Sequence, residues 1–549
     1  MARRFTRRWA SRGATLVFLT ALCLTIGARA QGSLLVNLGY SYLRLLEAGE
    51  VLHHELRIAL EPEQWSASFV DDVTVRLTKR TDVLYMTLGA DFFLDEVATS
   101  DGRTLRHGRH LLSLGSLPFV IYRIDLPRRE DQGTELTLRF SYHISPETAV
   151  HTFPYLSERL FFAAIPMFWY PQMPTEGYFT ATVHLEAAPD GWTMIGEGRP
   201  VEGTNGRTWN TLKKMPGLGV VIGDLVSSVQ QVAGREVFGW HVPGQPGHVA
   251  EIGRRAAEAA AVLEEILGPL PLERFDVVAL PWGLGGSLSQ YSLFVYDETS
   301  IEVPLDREIM RTYMAAHETA HKWIGFTAGT QVLGTLWLSE GLADYLAYLV
   351  VERIHGREAM REIIEERAVA PLAADGRRKR ALAAIELTDE DAPVAMQKGA
   401  LVFRALHRRL GDEAFFTLLR TFVREYTSEF AGSRDFTDLM ERVGGSAVRR
   451  FISDWINGNQ ELDYALEGVR IEAVDGGELV TFTVASTARL VEPGPVDVEV
   501  VLADGSVHTI AAELGAQMRR EFSGSVVRIT VDPDYWTPDW RRENNVWER

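Results

Sequence analysis

Cysteine is all but missing from the 549 residues: Cys23 is the only one. It lies in an N-terminal apolar run, so the body of the chain has no disulfide, no cysteine nucleophile and no thiolate metal site. Long apolar stretches are missing too. The run from Ala14 to Ile26 covers 13 residues, short of the roughly 18–20 that span a bilayer. Basic charge is in deficit, with 56 Lys and Arg against 74 Asp and Glu for a net charge of −18. That balance argues against nucleic acid or anionic lipid as a partner. Gly283-Leu284-Gly285-Gly286 is rich in glycine, but no Lys-Ser/Thr follows it, which excludes a phosphate-binding loop. Internal repeats and low-complexity tracts are absent as well.

What is present begins with a leader. Arg3, Arg4, Arg7, Arg8 and Arg12 precede the apolar run, and Ala28-Arg29-Ala30 closes it with small residues. The pattern predicts a secretory signal peptide over residues 1–30, cut before Gln31. The mature chain would then be exported, to a periplasm, the extracellular space or a cell surface, without a membrane span. Losing six Arg and no acid would take its net charge to −24.

Residues 31–235 read as antiparallel β structure, a sandwich or saddle. Leu136, Leu138, Phe140 and Tyr142 alternate with polar residues, as do Phe179, Ala181, Val183 and Leu185, the period of a half-buried strand. The aromatic cluster Phe161, Phe162, Phe168, Trp169, Tyr170 predicts packing between domains. Residues 236–460 combine a strand at Phe275–Leu280 with helical patterns. Residues 461–549 return to alternation through Val496, Val498, Val500 and Val527, Ile529, Val531, a small β domain. The whole is a multidomain α+β chain.

The chemistry sits in the middle region. His317-Glu318-Thr319-Ala320-His321 lies in an apolar, proline-free stretch from Asp306 to Phe326, which predicts a buried helix. Positions i and i+4 share a helical face, with Cβ atoms roughly 5–6 Å apart. Two imidazoles at that spacing can converge on one zinc ion. Trp337-Leu338-Ser339-Glu340-Gly341-Leu342-Ala343-Asp344-Tyr345 follows, with 18 residues between His321 and Glu340. Glu340 is the candidate third ligand. Asp344, one turn on, is placed to orient a ligating imidazole. Glu318 is left free as a general base.

The HETAH motif, its 18-residue gap and WLSEGLADY resemble the zinc peptidases of the aminopeptidase N family, the gluzincins. FWYPQMP followed by GYFTATVHLEAAPDGW resembles that family's N-terminal β domain. Val531-Asp532-Pro533-Asp534 through Asn544-Asn545 resembles the ending of exported bacterial members. The resemblance implies a thermolysin-like α/β catalytic domain, one Zn2+ per chain and a peptide or protein substrate. It also implies a segment that grips the substrate at a sheet edge, aligned here with Gly286, Ser287, Leu288, Ser289 and Gln290. Ser289 stands where the family has a Glu for the free amino terminus. Met396, in Met396-Gln397-Lys398-Gly399, stands where the family has a Tyr that donates to the oxyanion. Tyr291 and Tyr313 are the candidates to replace that donor.

Two functions are therefore expected. The first is an exported zinc metallopeptidase of atypical selectivity and reduced activity. The second is a zinc-containing, non-catalytic member that binds peptide or protein.

Overall fold

The computed structural model describes residues 43–549 apart from 115–116, 145–154, 176, 212, 282–286, 299–306, 332–333, 375–379, 386–391, 460 and 487–494. The expected signal peptide and Gly286 lie outside the described residues. The architecture is α+β, with a β-rich N-terminal part, a helical centre built on one mixed sheet, and β sheets at the C-terminus.

The N-terminal part holds β1 (Gly49–Glu61), β2 (Ser66–Leu77), β3 (Phe92–Thr99), β4 (Glu135–Ile144), β5 (Thr180–Ala187), β6 (Arg199–Pro200) and β7 (Thr208–Asn210). They form one sheet in the order β6-β7-β5-β1-β2-β4-β3. Residues alternate between buried and exposed along β2 and β4, because one sheet face is packed and the other solvated. One pair breaks the antiparallel pattern: β1 runs parallel to β5, with Leu56 opposite Val183. The long connection between them crosses the region instead of turning back, and alternation has the same period either way.

The central sheet contains β8 (Val226–Val232), β9 (Arg235–His241), β10 (Arg274–Leu280), β11 (Ser287–Ser289) and β12 (Leu293–Asp297). Its order is β8-β9-β10-β12-β11. β9, β10 and β12 are mutually parallel, whereas β11 pairs antiparallel with β12 and is the last strand on its side. β10 is apolar from Val277 to Leu280 because both faces are covered there. Val277 and Ala279 join the core of the helices, while Val278 and Leu280 join that of the N-terminal sheets. Phe161, Phe162, Trp169 and Tyr170 lie in that second core, where their rings meet Phe69, His54 and Phe179 of the N-terminal part, while Phe168 stacks on Phe119 in a separate small cluster.

On the other face α1 (Val249–Leu267) and α2 (Glu308–Ala320) lie against the sheet, and α3 (Leu336–His355), α4 (Arg357–Ile364) and α5 (Ala392–Leu410) pack behind them. α2 stops earlier than the apolar pattern suggested. After His321 the chain tightens into turns, and Gly325 takes a φ of 117°, a conformation that glycine adopts without strain. α3 and α5 touch backbone to backbone. A Cβ on Gly341 would stand 2.8 Å from the Gly399 Cα. No helix among the described residues is long and apolar enough to cross a membrane.

The C-terminal strands form two sheets. One contains Tyr464–Val474, Gly477–Ser486 and Gln517–Phe522; the other contains Val496–Leu502, Val507–Ala512, Val526–Val531 and Val546–Glu548. They dock on α4 and α5 through charge. Asp534 accepts from both Arg357 and Arg361, and Arg361 also pairs with Glu499 at 2.8 Å. Val498, Val500 and Ile529 share one hydrophobic core with the helices.

Candidate metal centre

His317 and His321 hang from the same face of the last turn of α2, and Glu340 from the first turns of α3. Their Nε2 atoms are 3.1 Å apart. Glu340 Oε2 lies 3.4 Å from His317 Nε2 and 3.5 Å from His321 Nε2. Tetrahedral ligands at zinc's usual bond lengths stand roughly 3.3 Å from one another. The triangle therefore fits a single ion of that size, and no other group of His, Cys, Asp or Glu among the described residues is gathered in this way.

The other nitrogen of each ring is spoken for. His317 Nδ1 donates to Asp344 Oδ1 at 2.7 Å, and His321 Nδ1 to the Ile324 carbonyl at 3.2 Å. Both Nε2 atoms are thereby turned toward the gap, the arrangement a metal-ligating imidazole needs. Asp344 is itself held by Tyr313, whose hydroxyl donates to Oδ1 at 2.6 Å. Tyr313 is therefore a buttress of the ligand shell, four residues before His317 on the same helical face, and is not available as an oxyanion donor. Tyr291 lies in the turn after β11, under Lys213 Nζ at 3.9 Å from its ring centre.

Electrostatics point the same way. Burial disfavours the His317 imidazolium, yet Asp344 and Glu340 beside it raise its pKa well above the usual histidine range. Burial likewise works against charge on Glu340, but His321 and His317 hold its carboxyl below the ordinary range. The pocket stabilises positive charge at its centre, as a cation site must.

Glu318 is buried beside the two imidazoles, on the side of the sheet edge. Its Oε1 accepts from Ser287 Oγ on β11 at 2.6 Å. Ser289 and Gln290 are buried, and Ser289 Oγ donates to the Gln290 carbonyl at 3.1 Å. Of the edge segment, then, only Ser287 brings a side chain to Glu318; Ser289 and Gln290 offer main chain. Met396 is half-buried on α5, three residues before Gly399. Gly399 in turn abuts Gly341, the residue after Glu340.

Two contacts had no counterpart in the sequence reading. Lys322 Nζ donates to the Gln290 and Tyr291 carbonyls at 3.0 and 3.1 Å. Glu197, from the N-terminal part, accepts from the Ser292 main-chain N–H at 3.0 Å and from its Oγ at 2.9 Å.

The fold and the donor set are those of a zinc metallopeptidase. Residues 256–455 match the Peptidase family M1 domain. Over that stretch the chain is similar to the M1 family, the aminopeptidase N family of zinc metallopeptidases. It is 26% identical to Aminopeptidase M1-D of Oryza sativa subsp. japonica over 220 residues, which is 38% of this chain and 25% of that protein. It is 27% identical to Aminopeptidase M1 of Arabidopsis thaliana over 34% of this chain and 22% of that one. The matched part thus spans about a quarter of these relatives' length. Among solved structures, an M1 zinc metallopeptidase of Deinococcus radiodurans superposes with a TM-score of 0.59 at 22% identity, covering 75% of this chain and 94% of that one. A mutant of the same protein was solved with a Tyr-Ser-Ala substrate.

Proposed function

We propose that the protein is an exported, zinc-dependent peptidase whose selectivity differs from that of an ordinary aminopeptidase. The observation that carries this reading is the pairing of the His317, His321, Glu340 triangle with a carboxylate, Glu318, that takes no part in it. The three side chains hold the ion, and Asp344 fixes the His317 ring. When bound, zinc polarises the scissile carbonyl and makes water acidic enough to be deprotonated near neutral pH. Glu318 removes that proton as general base and returns it to the leaving amine. β11, at the rim, takes an extended peptide by main-chain hydrogen bonds, with Gly286, Ser287, Ser289 and Gln290 as the contacting segment. Ser289 has no charge to neutralise an ammonium, so a free amino terminus is not the main determinant.

Met396 and Ser289 favour a second reading, a zinc-loaded member that binds peptides without cleaving them. One experiment separates the two. The purified chain is assayed for bound zinc, and wild type is compared with Glu318→Gln on a mixed peptide library. Cleavage that disappears in the variant supports the enzyme. Stoichiometric zinc without cleavage in either protein supports the binding protein. Export is tested by expressing the full chain and sequencing the secreted amino terminus, with Gln31 expected first.

A further inference from the structure

Glu318 and Lys322 are four residues apart on one face of the α2 segment, and both reach the same strand. Glu318 meets Ser287, the first residue of β11. Lys322 meets the carbonyls of Gln290 and Tyr291, in the turn that ends it. The strand between is only three residues long, and on its outer side no strand pairs with it among the described residues. So short an edge strand has little of its own to fix its position.

Lys322 is 1% exposed, an expensive place for an ammonium. Burial lowers its pKa, and three acids, Glu197, Glu318 and Asp276, offset that in part. Asp276 is already engaged by Arg274 at 2.7 Å, and Glu318 by Ser287. Glu197 is the one brought in by another part of the fold, and it also binds both polar groups of Ser292, two residues past Gln290. The same turn is therefore gripped from the helix by a cation and from the N-terminal part by an anion. A neutral side chain could satisfy one carbonyl; the ammonium takes two at once and draws in the carboxylate.

We propose that Lys322, balanced by Glu197, is a positioning residue that sets the register of β11 against α2, and so decides where a substrate's main chain lies relative to Glu318. This rests on the peptidase reading above. It makes substrate placement depend on a residue that touches neither substrate nor metal. Lys322→Met removes the donor and keeps the bulk. The double variant Glu197→Gln with Lys322→Gln removes the clamp and keeps the buried charge balanced, so that a folding defect from an uncompensated carboxylate does not decide the outcome.

Three readouts are taken on the full-length protein: zinc content, steady-state kinetics on one peptide cleaved by wild type, and amide hydrogen exchange. In both variants zinc should stay stoichiometric. KM should rise about tenfold, the scale of a hydrogen bond to a charged group, while kcat stays within about twofold. Amides of residues 287–293 should exchange about tenfold faster, with those of α2 unchanged. Lys322→Arg should recover most of the KM. Unchanged exchange at 287–293, acceleration spread equally over α2 and β10, or a fall in kcat at constant KM would each overturn the proposal. If wild type cleaves nothing, the peptidase reading fails, and exchange alone decides whether the clamp exists.

Discussion

The two walls of the site are built by opposite means. The helical wall of α2 and α3 carries the candidate ligands, and its side chains are tied to named neighbours: His317 to Asp344, Asp344 to Tyr313, His321 to the Ile324 carbonyl. The strand wall is only the three residues of β11, and Met396, which the motif resemblance aligns with a hydroxyl donor, sits on α5. Groups that supply chemistry are over-determined, whereas groups that choose a substrate are few and held from a distance.

The largest effect expected is on the helical wall. Glu318→Gln should lower turnover by ~10²–10⁴, the usual worth of a general base, with zinc content unchanged by elemental analysis. Loss of zinc along with activity would break the comparison, because Glu318 would then belong to the ligand set. Met396 on α5 makes the reverse prediction. Met396→Tyr should raise kcat, by up to ~10²–10³ if the new hydroxyl reaches the oxyanion, measured at saturating peptide. An unchanged kcat would mean that another donor already fills the role. Asp344→Asn should weaken zinc binding by ~10–100-fold, read by competition with a chelator. Gly341→Ala should have the smallest effect. Its Cβ would meet Gly399 at 2.8 Å, and overpacking of that kind costs about 1–3 kcal/mol, visible as a lower melting temperature with the ligands intact.

The same contrast governs what could be read without coordinates. The helical wall was legible because a helix converts sequence spacing into distance. His317, His321 and Asp344 follow from i to i+4 steps, and Glu340 from the motif resemblance. Tyr313 sits on that ladder as well, one turn before His317; the sequence suggests it as an oxyanion donor, whereas its hydroxyl is spent on Asp344. Ser287 with Glu318 and Lys322 with Gln290 join residues 31 and 32 positions apart, and no local period encodes such a pair. The sheets show the same limit. Alternation revealed the strands around Leu136–Tyr142 and Phe179–Leu185, but the parallel pairing of β1 with β5 depends on where a long connection goes. The end of α2 differs from the sequence expectation because apolar residues continue through Trp323 and Ile324 after the regular helix has ended at Ala320. Those side chains stay buried in turns.

The sharing of cores described above also bears on how the molecule comes apart. Trimming it to the region its relatives match would leave Val278 and Leu280 on a naked sheet face at one end. At the other end, Arg361 and Arg404 would lose Asp534 and its carbonyl. The minimal working unit is thus larger than the family signature, and heat should melt it as one body, not piece by piece.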